Sequence, residues 1–298
     1  MNAITPGNAF RPSKIFVSEQ LQAVVDAAME AKQQTEPPRD YLGGSRLGHY
    51  CLRALAYEFT KTPKDEGKHF KGKTLRIFDM GHDGEDRMAA YLRLAGFQLV
   101  THRPDGKQLG FYVAKIRDPD TGEERSRISG HLDGVIVGAP PSLAELIAAP
   151  ALWENKMLGS KSWKDMARDG VEKSKPVYFV QMQTYMAYMD LGDNPGLFTA
   201  INRDTGEIHA ELVPYNPAVA QEASDKGIKV VLAADPRELP RCTTDPQDYR
   251  CTYCDFAGRC WDPTQPPDAM VGPGGFAALA APVANPAWLA GAGAPKPM

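Results

Sequence analysis

The 298-residue sequence contains no run of about eighteen apolar residues, so it offers no segment able to cross a bilayer as a helix. Its first residues, 1–7, lack the charged-then-apolar pattern of a secretory signal. A cytoplasmic protein without membrane contact is expected. A strong charge of one sign is also missing. The formal net charge of −3 argues against a general nucleic-acid coat, but not against an enzyme whose acidic site is neutralised by its own cations. Cysteine is scarce, with five in all. Without a secretory signal, those five point away from disulfides and towards metal binding or burial. No internal repeat is present. The remaining composition, 43% hydrophobic and 24% charged, is that of a globular chain long enough for one large or two modest domains.

The stretch with most chemical content runs from Ile128 to Met157. Ile128 to Val137 is β-branched and bounded by Gly130 and Gly138, and reads as a strand. After a Pro-rich break, Leu152 to Met157 reads as the next strand, with Glu154 and Lys156 two apart and therefore on one face. Asp133 and Glu154 would then focus two carboxylates on one point, with the Lys156 ammonium beside them. Two carboxylates suit a hard divalent cation such as Mg²⁺ or Mn²⁺, and a lysine beside them holds a water or phosphate. That is equipment for metal-assisted phosphodiester hydrolysis. The bland alternative is an exposed strand that alternates charge.

Ser18 is expected to cap a helix whose stripe is Leu21, Val24, Val25, Ala28 and Met29. Ser45 is expected to open a helix reaching Phe59, with Cys51 on its apolar face between Leu47 and Leu55. Residues 61–73 read as a basic loop carrying Lys61, Lys64, Lys68, Lys71 and Lys73, and a second basic group spans Lys156 to Lys175. Either group is suited to track a phosphate backbone. A helix from Leu75 to Ala95 is expected to turn Met80, Met88, Tyr91, Leu92 and Ala95 inward and to place His82 and Glu85 on one side. Strands follow at 97–100 and 111–116, with a turn at 118–122. A short helical segment is expected from Leu143 to Ala149, a short helix to about Arg168, and a helix from Val177 to Leu191 carrying Gln181, Gln183, Tyr185 and Tyr188. A hairpin around Asp204 to Gly206 and a helix from Pro217 to Ala234 complete the regular elements. Beyond Asp262 the composition is mostly Pro, Ala and Gly, which gives a tail without a core of its own; Phe276 and Trp288 make it a candidate docking peptide.

Cys251, Cys254 and Cys260 form a C-x2-C-x5-C array. A four-thiolate centre needs one ligand more, and Cys242 supplies it locally or Cys51 from far upstream. Spacing leaves zinc and iron–sulfur open. A Cys51 ligand would close a long loop and staple the N-terminal helix to the C-terminal segment.

These residues together resemble a family. Gly130 to Asp133, Glu154 to Lys156 and the Gln181–Tyr185 pair resemble the motifs of the PD-(D/E)xK nucleases, in the RecB-like branch. Cys51 with the late cysteine array resembles its iron–sulfur members, the AddB nuclease domain and the CRISPR-associated RecB-like exonucleases. The resemblance covers about residues 43–262 and keeps the order of all motifs. It implies an α/β restriction-endonuclease-like core, with a central mixed sheet flanked by helices and an iron–sulfur clasp. Residues 1–42 would be a helical extension and 263–298 a flexible tail. It also implies that Asp133 and Glu154 ligate the metal and that Lys156 assists the attacking water. Glu85, four residues after Gly81, would complete the metal site, with His82 as second candidate. Gln181 and Tyr185 would support the site or touch DNA. Cys51, Cys251, Cys254 and Cys260 would hold a 4Fe–4S cluster, leaving Cys242 an ordinary cysteine. The implied activity is a Mg²⁺- or Mn²⁺-dependent exonuclease acting on DNA ends in recombination, repair or phage replication, in the host cytoplasm if phage-encoded. Two departures stand out: the long linker with Pro140 and Pro141, and the bulky Trp153 before Glu154. The rival readings are a catalytically silent DNA-binding adaptor and a zinc-knuckle scaffold.

Overall fold

A computed structural model describes residues 14–117, 124–262 and 264. The turn expected at 118–122 and the tail with Phe276 and Trp288 lie outside the described residues.

Among the described residues the chain builds two sheets with helices against them. One has three strands in the order β1-β4-β3: β1 is Leu42–Gly43, β3 is Gly110–Arg117 and β4 is Glu124–His131. The other has five strands in the order β2-β5-β6-β7-β8: β2 is Gln98–Val100, β5 Gly134–Gly138, β6 Ala151–Leu158, β7 Gly196–Asn202 and β8 Ile208–Val213. Within it β6 and β7 run parallel and the other pairs are antiparallel. The result is the expected α/β class with mixed pairing flanked by helices, arranged as two sheets rather than one.

The reason lies at Asp133. The single strand expected from Ile128 to Val137 is two strands in different sheets, β4 and β5. Between them the Leu132 amide donates to Leu109 O at 2.9 Å, and the Asp133 carboxylate takes the Asn155 amide at 2.8 Å. The chain leaves one ladder and enters the other where the catalytic candidate sits.

The helices mostly match their sequence signals. α1 spans Lys14–Thr35, α2 Leu52–Phe59, α3 Gly72–Leu94, α4 Ser160–Ser174, α5 Pro176–Tyr188 and α6 Pro217–Leu232, followed by the short α7, Tyr249–Thr252, and α8, Ala257–Cys260. The differences are physical. α1 begins before Ser18, so Ser18 is no cap, and its stripe is not core: Leu21 is 64% and Val24 67% exposed. α1 instead meets α3 through polar groups, with Arg76 paired to Asp26 and the Gly72 amide donating to Glu30 at 2.9 Å. α3 likewise leaves Met80 and Tyr91 exposed, while Met88 and Leu92 are buried. The expected helix 46–59 is a 3-10 turn, Gly44–Arg46, and then α2, with Cys51 as N-cap rather than on the helix face. Residues 143–149 form turns without a regular helix. α4 runs past Arg168 and breaks at Gly170, whose φ of 76° suits glycine, where the Val171 amide turns to Glu211 at 2.8 Å.

The main core lies under α5 and α6, with Leu47, Leu55, Ile128, Met182 and Phe198 fully buried. A second cluster packs α3 on the other side of the five-stranded sheet, around Trp153. Trp153 is fully buried and its indole N–H donates to Thr199 at 2.9 Å, so its polar tip is satisfied and the departure from a small aliphatic is accommodated.

Candidate active site

Strand alternation places the Glu154 and Lys156 side chains together on β6, and the break after β4 brings Asp133 against that strand. Lys156 Nζ donates to Glu154 Oε1 and stands 3.9 Å from Asp133 Oδ2. Gln181, on α5, donates to the same Glu154 oxygen at 2.5 Å. Glu154 is fully buried, and its other oxygen, Oε2, has no hydrogen-bond partner. A buried carboxylate oxygen left unpaired is costly. It is the vacant lone pair that a cation or a proton would satisfy.

α3 supplies the third carboxyl. The helix lies close to β6 because residue 84 is glycine: an added Cβ would meet Met157 Cε at 2.6 Å. Asn155 Nδ2 donates to Gly84 O at 3.3 Å across the same contact. That approach sets Glu85 within the field of Asp133, Lys156 and Glu154. His82, one turn earlier, is exposed yet close enough to act on Asp133. Both helix candidates therefore come to the site, with Glu85 the more deeply placed.

The electrostatics follow from burial. Burial pushes the Glu154 carboxyl up to about 8, reinforced by Asp133 and opposed by Lys156. Burial and then Asp133 push Glu85 up to about 7. Asp133 is also raised by burial, against the pull of Lys156, the Asn155 amide and His82. Burial acts to lower Lys156, but Glu154 and Asp133 outweigh it and its ammonium is held well above the usual lysine range. Three carboxyls thus face one fixed positive charge. At neutral pH the excess negative charge must be offset by a bound proton or a cation.

Tyr185 is 2% exposed and packs edge-on against Phe111 with ring centroids 5.2 Å apart. Its hydroxyl is held high by burial first and Glu154 second, and it shares a hydrogen bond with Gln181. It therefore supports Gln181 from behind and has no face for DNA. Sequence reasoning missed Asn155. Its amide holds Asp133, its side-chain N–H reaches α3, and its Oδ1 takes the Thr199 hydroxyl at 2.9 Å.

The cysteines gather elsewhere. Cys51, Cys242, Cys251, Cys254 and Cys260 line one small cavity beside Tyr50, Tyr57 and Trp261. The Phe256 amide donates to Cys254 Sγ at 3.5 Å and Arg241 Nε to Cys260 Sγ at 3.4 Å. Cys242, expected to be an ordinary cysteine, lies in this group and is hydrogen-bonded to Cys51. Burial and the neighbouring thiols raise Cys242 to about 12 and Cys254 to about 11. The basic loop before α3 belongs here too: Lys64 pairs with Asp255 at 2.8 Å, and Lys68 donates to Thr252 O at 3.2 Å. Among the described residues, no three His, Cys, Asp or Glu side chains already stand as a single-ion site.

The fold and site define a mixed α/β protein with a buried carboxylate–lysine centre and a separate five-thiol cavity. No family model matches the chain, and no curated protein matches it. Among solved structures it is similar to SSO0001, at 14% identity over 82% of this chain and 96% of that one, with a TM-score of 0.43. It is also similar to an alkaline exonuclease, LHK-Exo, from Laribacter hongkongensis, at 16% identity over 70% of this chain and 90% of that one, with a TM-score of 0.37. The same exonuclease in complex with dAMP gives 16%, 70%, 89% and 0.37. Likenesses this loose do not bear on function.

Proposed function

We propose that the protein is a Mg²⁺- or Mn²⁺-dependent deoxyribonuclease of the PD-(D/E)xK type, acting as an exonuclease on DNA ends. The observation that carries this reading is the placement of the Asp133 and Glu154 carboxylates beside Lys156, with Glu154 Oε2 buried and unpaired and Glu85 of α3 within their field. Such a donor set fits a hard divalent cation, which when bound supplies Lewis-acid activation of water and neutralises charge on the phosphate. Asp133 and Glu154 would hold it, with Glu85 or His82 from α3.

The chain's own groups do the rest. Lys156 stays protonated, so it serves as a hydrogen-bond donor and fixed positive charge rather than as a base. It would orient the attacking water and offset the negative charge that builds on the phosphate oxygens. Gln181 fixes the Glu154 oxygen that faces Lys156, which leaves Oε2 free for the cation. The five-thiol cavity, with N–H groups donating to Cys254 and Cys260, fits a 4Fe–4S cluster held by Cys51, Cys251, Cys254 and Cys260. Its role would be structural, joining the segment before α2 to the C-terminal segment.

Recombination, repair or phage replication is the setting this activity suits, and a protein partner bound through the tail remains part of the proposal. The test is degradation of end-labelled single- and double-stranded DNA by protein purified without oxygen, with Mg²⁺, Mn²⁺ or EDTA. Cleavage that needs the cation and releases short products from ends supports the exonuclease; products cut internally from circular DNA would make it an endonuclease. DNA binding without cleavage would favour the silent adaptor, and zinc without iron would favour the zinc-knuckle scaffold.

A further inference from the structure

The outer side of the three-stranded sheet carries an aromatic and cationic surface that the buried site does not use. β3 and β4 pair Tyr112 with Ser129 and Gly110 with His131, so Tyr112, Ser129 and His131 share one face, opposite Phe111 and Gly130. Phe111 packs on Tyr185 and so faces the core. Tyr112 is 48% exposed and meets His131 edge-on, with ring centroids 6.5 Å apart. Gly110 leaves room for the imidazole, since a Cβ there would stand 3.1 Å from His131 Cδ2.

Two arginines flank these rings. Arg39 lies over the Tyr41 ring at 5.9 Å, and Arg39 and Arg103 are the charged groups that act on His131. Arg103, on the 101–109 hairpin, has its Nε 3.5 Å from Asp105 in an ion pair. The surface adjoins the catalytic candidate. His131 is two residues from Asp133. The hairpin that carries Arg103 also holds the intervening Leu132, through the Leu109 carbonyl and through Gln108 Nε2 at 3.0 Å.

We infer that this face binds single-stranded DNA next to the buried site: Tyr112 and His131 stack on bases, and Arg39 and Arg103 hold phosphates. The inference rests on the nuclease reading and adds the strand form and the surface along which the strand approaches. Exposed rings with guanidinium groups beside them suit unstacked bases, whose π faces are free only when the strand is single. A paired duplex offers backbone charge but no base faces to these rings.

The test is fluorescence anisotropy of labelled oligo(dT) and of a blunt duplex of equal length with the full chain, without added divalent cation. Tyr112→Ala combined with His131→Ala is expected to weaken oligo(dT) binding about tenfold while changing duplex binding about twofold or less. Tyr112→Phe, which keeps the ring, is expected to bind as the parent does, which separates stacking from misfolding. Arg39→Ala and Arg103→Ala should each reduce the slope of log K against log salt by about 0.7. Oligo(dT) binding unchanged in the double variant, or lost equally for the duplex, overturns the inference. Mn²⁺-dependent cleavage by the parent protein is measured alongside. Cleavage with unchanged variant binding overturns the single-strand surface alone, whereas neither binding nor cleavage by the parent overturns the nuclease reading with it.

Discussion

Glu154 is the residue on which the site turns. It is fully buried, one oxygen is shared by Lys156 and Gln181, and the other is unpaired. Its carboxyl is raised to about 8 and that of Glu85 to about 7. The sign of the consequence follows from proton binding. Between about pH 5 and 8 an unfolded chain has released these protons while the folded, cation-free protein retains them, so stability falls as pH rises through that window. A bound cation would replace the protons. Thermal melts are therefore expected to show a declining Tm from pH 5 to 8 without metal, and a larger Mn²⁺-induced rise in Tm at pH 8 than at pH 6. A Mn²⁺ effect that does not grow with pH would contradict this assignment. The grouping of Asp133, Glu154 and Lys156 was legible in the sequence because β6 alternation puts two of them on one face and the proposed chemistry calls for the third beside them. Asn155 was not legible. It matters through its backbone amide and through contacts to Gly84 and Thr199, neither of which is near it in sequence.

At the scale of elements, the site depends on how closely α3 approaches β6. Gly84 permits that approach, with Met157 directly over it. A branched side chain there must push Met157 aside or lift the helix, and overpacking of this kind costs about 1–3 kcal/mol. Gly84→Val is expected to lower stability by that amount and to reduce cleavage further by displacing Glu85. Urea unfolding measured beside initial cleavage rates checks both. Full activity in Gly84→Val would show that α3 contributes no necessary group. Helix and strand positions were largely legible from periodicity, but which side of a helix meets the core was not. Leu21 and Val24 repeat at helical spacing and yet face outward, because α1 docks through Asp26 and Glu30 on polar groups of α3. The division of residues 128–137 between two sheets was equally hidden, since both halves are β-branched and only the hydrogen bonds of Leu132 and Asp133 separate them.

For the whole molecule, the five-thiol cavity links distant parts of the chain. Cys51 stands at the start of α2, whereas the other four cysteines lie between residues 242 and 260. Tyr50 adds a hydrogen bond to Arg250 O at 3.1 Å, and the Gly258 amide donates to Asp65 at 2.6 Å. A cluster ligated by Cys51 would close this long loop and restrict the unfolded chain. Cys51→Ser is expected to lose iron, sulfide and the brown absorbance, with a lower Tm. Cys242→Ser should retain the cluster. Iron and sulfide assays on both variants decide it, and the opposite pattern, or zinc bound in Cys51→Ser as in the parent, would assign the site to Cys242 and the local array. The sequence showed the cysteine array and its distant fourth candidate, but not that Cys242 would stand against Cys51.

The most direct measurement is cleavage of end-labelled DNA with Mn²⁺ by the parent protein and by Lys156→Ala, both purified without oxygen and matched for iron content. The account predicts cation-dependent cleavage by the parent and a loss of about a hundredfold or more in the variant, as for removal of one group that stabilises developing charge. Equal cleavage by both proteins, or none by either with the cluster intact, would contradict it.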